Sequence, residues 1–473
     1  MRIHNTLTKQ ADEIEPLEGD TVRIYSCGPT VYDHIHIGNL SSFIFADTLR
    51  RTLFALGFKT MHVMNFTDVD DKTIARSREK YPNIEPMLAL LKLTGEYTDL
   101  FIEDMKAVGN DVEALKFVKA TDSIGDMQQF IRELVEQNFA YTTDDGVYFS
   151  IEKYKQAGKV YGQLANVSVD STSQARIQND EYDKETAHDF ALWKTQKDNE
   201  PAWDFEIEGI NLKGRPGWHI ECSAMSRSSL GQPFDIHTGG IDLIFPHHEN
   251  EIAQSTATGE SAVYANVFAH NEHLLVDDQK MSKSLNNFYT LSDISDKGFS
   301  PLAFRLLVLQ AHYRNQAHFS WDNLQAAQNR LNGYYAFAVL RSQTVPPNAS
   351  NSTLQPDELE ASKLRLQAAM EDDLKSPAAL TELSVIAEQA VLRNVDHDGR
   401  EALVSYLEYA DTLLGLNLSN QSDISDAQKT LIIDREAARG SSDWAMSDSL
   451  RDQLAEQGIG LRDTDYGAIW FRL

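Results

Sequence analysis

The chain has 473 residues, a mass of 53.2 kDa and a formal net charge of −28 at neutral pH. Its length exceeds one ordinary core, so about three domains are expected, and its apolar share of 42% is that of a globular chain rather than a disordered one. The acidic balance argues against a general binder of nucleic acid, because phosphate contact needs Lys and Arg, yet it leaves room for a local basic surface.

Met1 to Pro16 carries Lys9, Asp12, Glu13 and Glu15 around no apolar centre, so it is not read as a secretory signal. No apolar run approaches the ~18 residues of a membrane span, and a cytoplasmic protein is expected. Val22 to Cys27 reads as a buried strand, broken by Gly28, Pro29 and Thr30. The segment Val31 to Asn39 then opens onto helical apolar spacing over Leu40 to Leu56, ended by Gly57, and Lys59 to Phe66 reads as a second strand. Strand, glycine-bearing loop, helix and strand are the first unit of a parallel α/β sheet, whose ligands sit at the carboxyl ends of the strands. Arg50, Arg51, Lys59, Lys72, Arg76, Arg78 and Lys80 form a local basic excess, equally readable as a solvated face.

Residues 85–140 look mostly helical. From Tyr141 to Pro216 the pattern is short strands and polar loops, with Val167 to Glu185 rich in Ser, Asp and Gln, and this reads as an insertion. Strands are expected again at Trp218 to Cys222 and Phe234 to Thr238, a helix from Pro246 carrying His247 to Thr256, and short strands over Val263 to Val276. Lys280 to Ser284 falls in a loop. Beyond Ser300 the spacing is that of packed helices over Leu302 to Ala311, Asn323 to Arg341 and Glu358 to Leu416. Val345 to Pro356 reads as a linker and Leu418 to Asp426 as a second polar joint. A small terminal unit follows, with a helix over Trp444 to Gln457 and a strand-like end through Trp470.

The only cysteines, Cys27 and Cys222, would by count alone be inert buried thiols, and a disulfide is not expected in the cytosol. His247 and Glu251 are four apart and share a helical face, which is weak support for a metal when taken alone. Both cysteines are expected at strand ends, where a parallel sheet gathers its site. Two thiols, an imidazole and a carboxylate form a set of borderline softness that suits zinc. Spacing leaves this as a candidate metal site.

His34 to Asn39 follows a strand and precedes a helix, whose N-terminus attracts phosphate; Gly38 permits close backbone approach, and His36 can donate to phosphoryl charge. The alternative is a helix-capping loop. Lys280-Met281-Ser282-Lys283-Ser284 places two ammonium groups three residues apart beside Asp277 and Asp278, able to clamp a triphosphate or simply to form a charged turn.

Together these segments resemble the class I aminoacyl-tRNA synthetases, with their HIGH and KMSKS signatures. The second is matched letter for letter; the first stands as His36-Ile37-Gly38-Asn39, with Asn in the last place. Within the class the chain resembles the cysteinyl-tRNA synthetase family over essentially its whole length. The matching segments are Tyr25 to Asp33, Asn65 to Lys72, Gly214 to Met225 and Phe234 to Ser255.

The resemblance implies a Rossmann-like α/β catalytic domain over residues 1–125 and 210–290, with an inserted connective domain over 126–209. A stem-contact region and helical bundle would follow over 291–416, and an anticodon-binding unit over 417–473. It implies one zinc ion on Cys27, Cys222, His247 and Glu251, and a cysteine pocket of Gly28, Thr67, Trp218 and His237, where Trp218 has plain core packing as its alternative. ATP would be handled by His36, Gly38, Asn39, Gly239, Gly240, Asp242, Lys280 and Lys283, with Mg²⁺ sharing the phosphate charge. The implied partners are L-cysteine, ATP and tRNA(Cys), for a monomer needing no membrane. Zinc would tell cysteine from serine by bonding the thiolate, where shape alone separates such pairs by only ~1–3 kcal/mol. Trp444 and Arg439 are candidates for stacking a base and meeting backbone phosphate. The rivals are a cysteine-adenylating ligase that uses a small amine, and a catalytically dead paralogue that binds RNA or zinc.

Overall fold

Five parallel strands carry the first half of the molecule. In the computed structural model, which describes residues 1–165, 176–177, 189–258, 261–276, 279–281, 287–343, 353–391, 393, 395–464 and 467–473, β1 spans Thr21–Ser26. It leads through the Gly28-Pro29 loop into α1 (Ile37–Ala55), and Gly57 turns the chain into β2 (Lys59–Phe66). Helices α2 (Asp71–Lys80) and α3 (Pro86–Ala107) follow, then β3 (Leu115–Lys119) and α4 (Ile124–Glu136). The inserted strands are β4 (Ala140–Thr143), β5 (Gly146–Phe149), β6 (Asp189–Thr195) and β7 (Gly214–Pro216). The chain returns through α5 (Trp218–Leu230), β8 (Phe234–Gly240), α6 (Glu249–Ala257) and β9 (Ala265–Asn271).

The central sheet runs β9-β8-β1-β2-β3, parallel throughout, with Ile24 opposite Ile236 on one side and His62 on the other. Its inner strand β8 is buried on both faces and β1 largely so, as a sheet covered by helices requires. The order reverses between β1 and β8, which makes that gap the crevice where such sheets bind ligands. The inserted strands form a separate antiparallel ladder, β7-β6-β5-β4.

Three expectations are corrected. Trp218 to Cys222 is the start of α5, not a strand. His219 to Ser226 are all buried, so the segment has no solvent face and its helical period is invisible. The helical reading of residues 85–140 hides β3, an edge strand whose Lys116 and Lys119 mimic a polar helix face. The helix expected from Pro246 begins as a wide turn over Ile244–His248 with Phe245 extended, and α6 proper starts at Glu249.

The chain divides into two units, Met1–His273 with Met281–Leu291, and Leu274–Lys280 with Ser292–Leu473. The second unit is mainly helical: Pro301–Leu309, Trp321–Ala338, Pro356–Glu371, Ser376–Val391 and His397–Leu414. Its end adds Asp426–Gly440, a helix the spacing does not single out, then Trp444–Glu456 and a hairpin of Ile459–Thr464 with Gly467–Arg472. Gln343 pins this hairpin, donating to the Trp470 carbonyl (3.0 Å) and accepting from its N–H (2.9 Å). The loop segments Val167 to Glu185 and Val345 to Pro356 lie largely outside the described residues.

Candidate metal centre and adjoining cleft

Cys27 follows the last residue of β1, and Cys222 sits about one turn into α5. Their Sγ atoms are 3.8 Å apart. The Glu251 carboxylate, from the first turn of α6, brings Oε1 to 3.7 Å from Cys27 Sγ and 3.1 Å from His247 Nε2. One donor atom from each of Cys27, Cys222, His247 and Glu251 lies within 4.8 Å of all the others.

Each donor is aimed by a neighbour. His219 Nδ1 meets His247 Nδ1 at 2.9 Å, which commits that nitrogen and leaves Nε2 facing Glu251. Glu251 Oε2 accepts from His237 Nε2 (2.8 Å) and from the Tyr264 hydroxyl (2.7 Å), leaving Oε1 turned to the thiols. A second quartet exchanges Cys222 and His247 for His237 and His248. In that set His237 Nε2 bonds Glu251 Oε2 at 2.8 Å and His248 Nδ1 meets His270 Nε2 at 2.8 Å.

The electrostatics match a cation site. Burial pushes the Cys27 thiol well up, and its contacts with Cys222 and Glu251 add to this. Burial also raises Cys222, but its hydrogen bond with Cys27 and the nearby His247 outweigh it, so this thiol is held below the usual thiol range. Glu251 is held below the usual carboxylate range against its burial, through His237 and His247. Two thiols and a carboxylate this close are mutually repulsive once ionised, and a divalent cation of borderline softness relieves that repulsion. The donor set therefore fits zinc.

A cleft of about 350 Å³ opens beside these groups, lined among others by Cys27, Gly28, Trp218, Lys72, His36, Asn39, Gly240 and Asp242. Trp218 is half-buried and stacks on the His247 ring with centroids 4.2 Å apart, so it belongs to the cleft wall rather than to plain core. Thr67 and His237, expected beside it, are buried and do not line the cleft: Thr67 donates to Glu221 Oε2 (2.8 Å).

His36, which also lines the cleft, is the N-cap of α1, its Nδ1 accepting from the Asn39 N–H at 3.1 Å. The capping role foreseen as the alternative is thus present, and the same ring still faces the cleft. A Cβ on Gly38 would meet Met281 and the His36 ring, at 2.4 and 2.9 Å. Gly239 and Gly240 end β8; a Cβ on Gly240 would stand 2.6 Å from Asp242 Oδ1. Lys280 pairs its backbone with Leu275 in a short ladder, while its side chain and the whole of Lys283 lie outside the described residues.

The basic stretch is largely neutralised. Arg50 pairs with Asp111, Arg51 with Asp47, Lys59 with Asp20, Arg76 with Glu79 and Lys80 with Glu96. Arg78 donates to the carbonyls of Asp198 and Asn199. Only Lys72 of the group reaches the cleft. In the last unit Trp444 is 58% exposed, with the Arg439 guanidinium 5.9 Å from its ring centroid, and Arg439 also donates to Asp463.

The groups next to the donors that the sequence does not single out are Asn65, His219, Glu221, His248 and Tyr264. Four of these five stand within the same segments that carry the resemblance, so the signal was adjacency to the proposed ligands in the chain.

The chain is similar to known proteins over most of its length. Residues 13–329 match the family described as tRNA synthetases class I (C) catalytic domain, and residues 421–470 match the cysteinyl-tRNA ligase anticodon binding domain. The chain is 37% identical to a cysteine–tRNA ligase of Leptospira interrogans over 99% of both chains. It is 39% identical to one from Brachyspira hyodysenteriae, over 99% of this chain and 98% of that protein. Among solved structures it is similar in fold to Mycobacterium tuberculosis methionyl-tRNA synthetase in complex with methionyl-adenylate. The TM-score is 0.58 at 12% identity, covering 85% of this chain and 92% of that one. Its fold is also similar to that of LeuRS in a ternary complex from Agrobacterium radiobacter K84, with a TM-score of 0.57 at 11% identity and 86% of each chain covered.

Proposed function

The chain belongs to the cysteine–tRNA ligase family, and from this premise we propose that it activates L-cysteine with ATP to cysteinyl-adenylate and transfers the cysteinyl group to the 3′-terminal ribose of tRNA(Cys). The observation that carries the reading is the convergence of four metal-donor atoms at the edge of the cleft that also holds the start of α1.

Cys27, Cys222, His247 and Glu251 would hold one zinc ion. Bound there, zinc supplies a bond to the substrate thiolate that a serine hydroxyl does not equal. The protein's own groups do the rest. Trp218 and Gly28 wall the amino acid so that its carboxylate points toward the start of α1. The carboxylate attacks the α-phosphate in line, and pyrophosphate leaves. His36 and the N-terminus of α1 stabilise the charge that develops on the α-phosphate. Gly239, Gly240 and Asp242 cradle the nucleoside, and Lys280 and Lys283 neutralise the outer phosphates of an ATP that arrives with Mg²⁺. Positioning and electrostatics supply the rate, with no covalent enzyme intermediate.

The division of labour we propose is a catalytic domain over 1–125 and 210–290, an inserted connective domain over 126–209, a stem-contact region and bundle over 291–416, and an anticodon-binding unit over 417–473. The protein is proposed to act as a cytoplasmic monomer; no helix among the described residues is long and apolar enough to cross a membrane. The test is transfer of labelled cysteine to total tRNA, with serine as control and chelator-treated protein alongside. Charging by cysteine only, lost with the metal, is expected. Cysteine-dependent pyrophosphate exchange without charging would instead indicate a small-amine acceptor, and loss of both would indicate a binding protein.

A further inference from the structure

Asn65 is the penultimate residue of β2 and is 1% exposed. Its Oδ1 accepts from the Gly28 N–H at 2.8 Å, and its Nδ2 donates to Thr67 Oγ1 at 3.2 Å. Thr67 in turn donates to Glu221 Oε2 at 2.8 Å. A backbone N–H cannot accept, so the first bond fixes which way the amide faces. The amide then fixes Thr67, whose proton is left for Glu221, and the chain of bonds runs in one direction.

The ends of this chain are next to the two thiol ligands. Gly28 follows Cys27, and Glu221 precedes Cys222. Asn65 Oδ1 itself lies 3.7 Å from Cys222 Sγ. Contact at the Gly28 end is close, since a Cβ there would stand 1.7 Å from the Asn65 carbonyl oxygen. The loop after β1 and helix α5 come from opposite sides of the insertion, and one side chain of β2 ties both.

We infer that Asn65, through Gly28 on one side and Thr67 and Glu221 on the other, is the positioning residue that sets the spacing of the Cys27 and Cys222 thiols for the metal. The inference rests on the zinc reading above. Groups that orient ligands in this manner are typically worth ~10–100-fold in metal affinity.

The experiment uses the full chain, with zinc affinity measured by competition against a chromogenic chelator. The sulfur-to-metal charge-transfer band of the cobalt-loaded protein and the melting temperature of metal-free protein are recorded alongside. Asn65→Ala is expected to lower zinc affinity about 10–100-fold and to shift the cobalt band. Thr67→Val cuts only the Glu221 half of the chain and is expected to lose several-fold. Thr94→Ala removes a buried hydroxyl that bonds only within α3 (3.0 Å to Leu90 O), and is expected to lower the metal-free melting temperature while leaving zinc affinity unchanged. A folded Asn65→Ala with wild-type zinc affinity and cobalt spectrum overturns the inference, as does a Thr94→Ala that loses as much zinc. Should Asn65→Ala not fold, an unchanged affinity in Thr67→Val overturns it equally. Wild-type protein that takes up no zinc would instead remove the metal reading itself, a result distinct from the others.

Discussion

The Sγ atoms of Cys27 and Cys222 lie 3.8 Å apart although 195 residues separate them in the chain. They are held on different elements, one at a strand end and one inside a helix, so neither can replace the other. Cys222→Ser should lose bound metal and lower cysteine-dependent pyrophosphate exchange by more than about 100-fold, beyond the effect of removing a supporting group. The cost to folding should be modest, about 1–3 kcal/mol. Metal content by mass spectrometry and a chemical melt check the two halves separately; full zinc occupancy in the variant would refute the ligand assignment.

Gly28 and Gly95 should respond oppositely to alanine. A Cβ at Gly28 would overlap the Asn65 carbonyl oxygen, so the loop must move, at about 1–3 kcal/mol and with loss of cysteine kcat/KM. Gly95 lies in α3 with nothing within 4 Å of the added carbon, so Gly95→Ala should stabilise by about 0.5–1 kcal/mol. Paired thermal melts and pyrophosphate exchange decide both.

The acid limb of stability should reflect buried imidazoles. Burial depresses His62 to about 3, and its Nε2 bonds Ser26 Oγ at 2.7 Å. The folded state therefore holds this ring neutral, while the unfolded ring takes a proton near pH 6.5. Its contribution is full above about pH 6.5 and is lost as pH falls toward 3, by about 1.4 kcal/mol per pH unit. His62→Gln should flatten that limb by one proton's worth while lowering stability at pH 7.5, as read from denaturant melts at pH 7.5, 6 and 5.

Arg435 is 1% exposed and grips Asp463 through two bonds, at 2.8 and 3.1 Å. The pair joins the helix Asp426–Gly440 to the last hairpin. The Arg435 hydrogen bonds hold the Asp463 carboxyl below its usual range, so its contribution stands above about pH 3.9 and fades as pH falls below that. Asp463→Ala leaves the buried guanidinium with only its Glu436 carboxylate, at 3.1 Å; because that contact remains and the Asp463 side chain is 34% exposed, the cost should be near ~1–3 kcal/mol rather than the full buried-pair value. If this unit reads tRNA, the KM for tRNA rises while cysteine-dependent pyrophosphate exchange is unchanged. An equal fall in both would place the residue's effect in the catalytic half.

Local order was legible wherever a segment had one wet face or a sharp break. Val22 to Cys27, with Gly28 and Pro29 after it, read correctly as a strand and its end, and Lys59–Phe66 matched to the residue. The chemistry of the site was legible as residue types in ordered segments, enough to name the two thiols, His247 and Glu251. What the chain order could not carry was α5, whose residues His219 to Ser226 are all buried and so have no period to read. Nor could it carry the aim of each donor. That His247 presents Nε2, that Glu251 presents Oε1, and that Asn65 ties the segments of both cysteines follow from partners 28, 14, 37 and 157 residues away in the chain. Side-chain identity is a property of the sequence. Which lone pair remains free is decided only when burial removes water and every polar group must find its partner in the fold.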